Sequence, residues 1–194
     1  MGSAVSICSN ACLICGAQTI NSFADTSDRA KLASNLYEQL TNWLLRSHAF
    51  SCARTRVQLA PDVTPPAFDW DARFLLPSDW LKTLQVGELG IPVDYMHEGR
   101  YILSDEEVLN LVYVRRPDEG DWDSMLTHTA TLVMAAAMAY PLTRSAAFAA
   151  QQAAILEQEL KMARAVDGQD SPPETMGDFY LLAARFGARQ PSRW

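Results

Sequence analysis

Apolar side chains in the first fifty residues recur at helical spacing. Cys8, Cys12 and Cys15 fall at i, i+4 and i+7, one stripe of a helix over about residues 4–16 that Gly16 is placed to close. The polar stretch Gln18–Asp28 is rich in Asn, Ser, Thr and Asp, whose side chains bond nearby backbone, and reads as a loop. A second helix is expected over about 29–49. Ala33, Leu36, Tyr37, Leu40, Trp43 and Leu44 share one face, and Arg29, Lys31, Asn35, Glu38, Gln39, Asn42 and Arg46 lie mostly off it. Asp25, Thr26 or Ser27 can cap its start. Full burial of such side chains contributes roughly 1.5–3 kcal/mol each, enough to dock the helix firmly.

After Phe50 the period changes to two. Ala53, Thr55, Val57 and Leu59 alternate with Arg54, Arg56 and Gln58, which reads as a half-buried strand. Pro61, Pro65 and Pro66 break the pattern. Strand-like pieces then follow around Phe74–Leu76, Leu81–Val86, Tyr95–Glu98, Tyr101–Leu103 and Leu109–Arg115, with Gly99-Arg100 as a hairpin turn. Residues 52–116 are therefore expected to form an antiparallel β region joined by short turns.

Helical spacing resumes at Asp121, a capping residue. Trp122, Met125, Leu126, Thr129, Leu132, Val133, Ala136 and Tyr140 keep one face apolar over 121–140, and Pro141 is expected to end the helix. Thr143 can cap a last helix over 144–166, with Phe148, Ile155, Leu156, Leu160 and Ala163 as candidate core, and its many alanines suit close packing against a neighbour. From Gly168 the character changes, and an apolar arm follows a Pro172-Pro173 break. The fold class is α+β: a bundle of about four helices with an inserted antiparallel β region, residues 1–167 as one domain, and 168–194 as an extended arm. The helices before the arm read as complete, so the arm is expected to dock on a partner rather than cover its own domain.

The hydrophobic share of 48% and charged share of 20% are those of an ordinary globular chain, and 194 residues suffice for a buried core. A net charge of −7 argues against a surface that grips nucleic acid through phosphates, though not against one that DNA slides past. Continuous apolar runs fall short of the ~20 residues a membrane span needs, and no basic stretch opens a secretory signal.

Candidate chemistry is sparse. Cys8-x3-Cys12-x2-Cys15 has the spacing of a radical-SAM iron–sulfur site, but cluster ligands normally come from a wrapping loop, whereas these share a helical stripe. His48, His97 and His128 stand on separate elements without zinc spacing; His48 closes a helix, and His128 is expected to be partly in the core. No P-loop, Rossmann fingerprint or nucleophile elbow occurs. The carboxylate pairs Asp69/Asp71, Glu106/Glu107 and Asp121/Asp123 read as caps and solvated turns. The chain is expected to be non-catalytic, with no cofactor or metal. The alternative is a small enzyme, either an iron–sulfur protein using those three cysteines or a cell-wall hydrolase.

A series of short blocks, in order, carries a resemblance. They are Thr19–Ser27, Arg29–Ala33, Leu44–Arg54, Leu76–Leu81, Glu98–Leu103, Leu111–Arg116 and Ala139–Thr143. Together they resemble the tail tubular protein A family of T7-like bacteriophages, the head-to-tail adaptors, over roughly residues 10–165. Ala49 and Ser51 depart from the proline and asparagine expected in that turn, and the segment after Gly168 does not match. The resemblance implies a virion structural protein of the head–tail junction, assembled in the host cytoplasm. It also implies a dodecameric ring between portal protein and tail nozzle or tube, with viral DNA passing through unread and no membrane involved. On that reading Met176, Phe179, Tyr180, Leu181, Leu182, Arg185, Phe186 and Trp194 of the arm would contact the portal or a neighbouring copy, and the β region would face the nozzle.

Overall fold

The structure, a computed structural model, describes residues 2–88, 91 and 93–169. It is a mixed α+β protein of four helices and two small sheets. The chain divides into two compact units. One is helical and takes residues 2–55, 78–83 and 113–169; the other is mainly β and takes 56–77, 84–88, 91 and 93–112.

In the helical unit, α1 (Ala4–Ile14) starts at a reciprocal cap between Ser3 and Ser6. It ends at Gly16, whose φ of +70° lets Ala17 N–H reach Cys12 O at 2.9 Å. In the following loop Asp25 accepts from the N–H groups of Asn21 and Ser22 at 3.0 and 3.3 Å, so it orders that turn rather than capping the next helix. The cap is Ser27, and α2 runs Asp28–Ser47. Its buried residues are Ala30, Ala33, Tyr37, Thr41, Leu44 and Leu45. This stripe is turned from the one expected: Leu36 and Leu40 are half-buried, and Trp43 is exposed. Hydrophobicity alone would place Trp43 inward, but α1 and the helix α3 (Ser124–Thr143) cover the neighbouring face.

Helix α3 (Ser124–Thr143) is the centre of this unit, packed by α1, α2 and α4. Residues 129–135 are buried on every side, whereas the expected single face included Met125 and Ala136, which are half-buried, and Tyr140, which is exposed. The helix is long and apolar enough to cross a membrane by length and composition, and its enclosure by three helices accounts for that composition. Its cap is Asp123, accepting from Leu126 N–H at 2.6 Å, rather than Asp121, which lies in a 3-10 turn. Pro141 does not end it. One more turn persists because the Thr143 hydroxyl donates to Ala139 O at 2.7 Å and Arg144 N–H to Tyr140 O at 2.9 Å, with Arg144 left-handed at φ +55°.

Thr143 likewise does not cap the next helix. Ser145 does, its hydroxyl accepting from Phe148 N–H at 3.2 Å. Helix α4 (Ala146–Gln169) runs through Gly168, the expected boundary, because Asp167 in its last turn is tied to residues 48–51. Ala163 is buried as expected. Phe148, Ile155, Leu156 and Leu160 are half-buried, and most of the alanines on the outer side are exposed.

Strands β1 (Arg54–Leu59), β3 (Trp80–Val86) and β6 (Leu109–Arg115) form a sheet in the order β1-β6-β3. In the β unit, β2 (Ala72–Leu75), β4 (Met96–Glu98) and β5 (Tyr101–Ser104) form a second sheet, β2-β5-β4, antiparallel at both joins. The Gly99-Arg100 turn joins β4 to β5, with Gly99 at φ +59°. Register pairs Phe74 with Ile102, and both are fully buried. The connections are not uniformly short: residues 60–71 form a long loop without strand pairing, because three prolines deny it ladder donors.

Candidate functional site

The long loop of the β unit is anchored near both of its ends, at Asp62 and where Asp71 N–H donates to Asp105 at 3.0 Å. Asp62 N–H donates to Arg73 O at 2.8 Å, and its carboxylate takes Arg73 Nε at 3.1 Å and Thr64 N–H at 3.3 Å. Arg73 also lies over the Tyr101 ring, 4.7 Å from its centre. Pro61, Pro65 and Pro66 restrict the backbone further. On this pinned loop Val63 is 98% and Phe68 75% exposed. Leu75, Ile91, Tyr95 and Met96 of the same unit are exposed too, and all three residues of β4 face solvent. Single exposed apolar residues are normal, whereas several on one small unit suit a protein interface. Sequence patterning read 60–71 only as an interruption. The signal available was an isolated Val and Phe among prolines, with no element to bury them.

The helical unit holds a groove of about 280 Å³ lined by Glu38, Asn42, Asp79, Trp80, Leu81 and Arg116. Arg116 is tightly engaged on one side. Its Nη2 donates to Glu119 Oε1 at 2.9 Å, and its guanidinium lies 5.8 Å from the Tyr37 ring centre and 5.4 Å from that of Trp122. Tyr37 donates to the same Glu119 oxygen at 2.9 Å, and burial followed by that bond pushes the phenol well above its ordinary range. Asp79 accepts from the Tyr113 hydroxyl at 3.1 Å; burial and this bond push Tyr113 up to about 12. On the other side, Arg116 Nη1 and Asn42 Oδ1 are both buried and make no hydrogen bond among the described residues. Sequence spacing could not pair positions 42 and 116.

At the end of α4, Asp167 accepts from Ser51 N–H at 2.8 Å and lies 2.9 Å from His48 Nε2. Burial would raise this carboxyl, but the bonds from Ser51 and His48 outweigh it and hold the pKa below the ordinary value. His48 caps α2 as expected, and its ring serves this carboxylate. His128 is not partly in the core: its side chain is 57% exposed, with Glu159 3.9 Å away. Cys8, Cys12 and Cys15 are buried on α1, and Cys15 Sγ reaches Ala135 O at 3.4 Å. Burial pushes Cys8 up to about 12 and raises Cys12 and Cys15, which disfavours the thiolates that cluster ligation needs. Among the described residues no group of His, Cys, Asp and Glu is arranged to hold a metal ion. The expected partner-binding residues Met176, Phe179, Tyr180, Leu181, Leu182, Arg185, Phe186 and Trp194 lie outside the described residues.

Fold and surface together define a mixed α+β chain with several exposed apolar side chains on its β unit. No model of a known protein family matches the chain, and no curated protein matches it.

Proposed function

We propose that this chain is a non-catalytic virion structural protein, a head-to-tail adaptor. Copies form a ring between the portal and the tail nozzle or tube, around the DNA channel. The observation that carries this reading is the loop anchored by Asp62, which presents Val63 and Phe68 to solvent. The ordered blocks resembling tail tubular protein A support the particular assignment. Partner contacts are heterologous, so that one patch meets a different patch on the next copy and the ring closes. The β unit faces the nozzle, and the segment after Gly168 serves the portal.

The test mixes the full chain with a portal assembly from a T7-like phage and images the product, then adds the nozzle protein. A ring seated on the portal is expected. Val63→Asp with Phe68→Asp should leave the ring on the portal but weaken nozzle attachment. Interface anchors cost about 2 kcal/mol or more when lost, a drop of roughly thirtyfold in affinity. Deleting residues 170–194 should abolish portal attachment while leaving the circular dichroism of the fold. No ring on the portal, or unchanged attachment in both variants, refutes the proposal.

A further inference from the structure

Helix α4 leaves an apolar flank open. Met162 is 56% and Val166 39% exposed, and Ile155, at helical spacing on the same flank, is half-buried. The bonds that Asp167 accepts from Ser51 N–H and shares with His48 fix the last turn of α4, and with it the point from which the chain goes on. The sequence that follows carries helix signals of its own. Ser171-Pro172-Pro173-Glu174 is a capping-box pattern with proline at the first helical position, and Gly187 is placed to close the run. Between them Met176, Phe179, Ala183 and Phe186 recur on one helical face. An isolated helix of about 12–15 residues is marginal in water, so a segment of this kind needs a surface to lie on.

We propose that residues 172–186 return along α4 as an antiparallel helix seated on this flank, and that in the free chain this seat sheathes side chains the portal would otherwise take. Only Asp170 and Ser171 stand between Gln169 and Pro172, a connection of the length that joins antiparallel helix pairs. Counted in equal steps from that turn, Met176 comes level with the Ala165–Val166 step, Phe179 with Met162, and Phe186 with Ile155. Each large apolar side chain of the returning face thus meets one on α4. Asp178 falls on the same side of this seam as Lys161, so the flanking charges attract. A separate partner would have to displace a segment tethered beside the flank at the high effective concentration of a short connection. The fold-back rests on α4 and the sequence after it; only its consequence for the portal rests on the adaptor reading.

The experiment places a nitroxide on the full ¹⁵N-labelled chain through Ala154→Cys, an exposed position far from the turn, in a Cys52→Ser background; Cys8, Cys12 and Cys15 are buried and stay unlabelled. Amide resonances of residues 182–188 should lose most of their intensity until the nitroxide is reduced. Met162→Asp with Val166→Asp alters side chains that are already exposed, so the amide resonances of α3 should stay in place while the broadening at 182–188 disappears. No broadening there, or broadening that survives the double variant, overturns the proposal. So does broadening that appears only when nitroxide and ¹⁵N are on different copies, which would put a neighbour's segment on the flank. Added to a portal assembly, the double variant with its arm intact should bind roughly fivefold or more tightly than the parent, since nothing has to leave α4 first, and equal affinity overturns the sheathing. The nitroxide result is read without any portal, so the fold-back and the adaptor reading fail separately.

Discussion

Removing the Asp167 carboxylate tests whether the end of α4 is held by tertiary bonds or by its own helical tendency. An acidic residue in the last turn of a helix is unfavourable by itself, because the carbonyl end of the dipole is negative; the usual penalty is about 0.3–1 kcal/mol. The structure offsets this with two charge-assisted bonds, to Ser51 N–H at 2.8 Å and His48 Nε2 at 2.9 Å, on a side chain only 10% exposed. Such bonds contribute roughly 1.5–3 kcal/mol each. Allowing for relief of the dipole and for water reaching the half-exposed His48, Asp167→Ala should lower stability by about 2–3 kcal/mol. Asp167→Asn keeps an acceptor for Ser51 but loses the charge, and should cost about 1 kcal/mol. Because the folded pKa of Asp167 is depressed, its stabilisation is fully present above the unfolded carboxyl value and is lost as pH falls through the folded one. The gap between parent and Asp167→Ala should therefore be widest at pH 7 and shrink below about pH 4, where the free carboxyl protonates. Urea unfolding followed by circular dichroism at pH 7 and at steps below pH 4 measures both. A difference within about 0.5 kcal/mol at pH 7, or a gap that does not narrow in acid, would show that α4 ends without this tie.

Other outcomes follow from the same geometry. In the folded chain Cys8, Cys12 and Cys15 should resist a thiol reagent at pH 8 and react together when guanidinium unfolds the protein, since all three are buried with raised pKa values; rapid labelling of all three in the native state would contradict their placement. Gly87→Ala should cost more than Gly99→Ala. Both glycines have positive φ, but a Cβ at Gly87 would lie 2.6 Å from Val93 Cγ2, whereas the space at Gly99 is open. Gly99→Ala is expected to lose about 1 kcal/mol and Gly87→Ala at least twice that, by denaturant midpoint, and equal losses would discount the steric argument. Asp62→Ala should release the loop carrying Val63 and Phe68, speeding proteolysis there with little change in helical circular dichroism; unchanged cleavage would mean that the prolines alone hold it.

Local chemistry determined what could be read without coordinates. The helix ending at Gly16, a cap among Asp25, Thr26 and Ser27, the hairpin at Gly99 and the two-residue period of β1 depend on side chains within a few positions of each other. The division into four helices and an inserted β region followed from those periods. Tertiary structure decided which faces were inside. Trp43 is turned out and residues 129–135 are enclosed because α3 is packed by three helices at once, a circumstance no single helical stripe encodes. Pro141 and Gly168 read as helix boundaries on local propensity, yet Thr143 with Arg144 carries one helix past the first, and the tie from Asp167 to residues 48–51 carries the other past the second. The candidate sites belong to the same class. Asn42 and Arg116, or Asp62 with the loop it pins, acquire meaning only when the fold brings their backbones together, because a hydrogen-bond partner far along the chain leaves no periodic trace in the sequence.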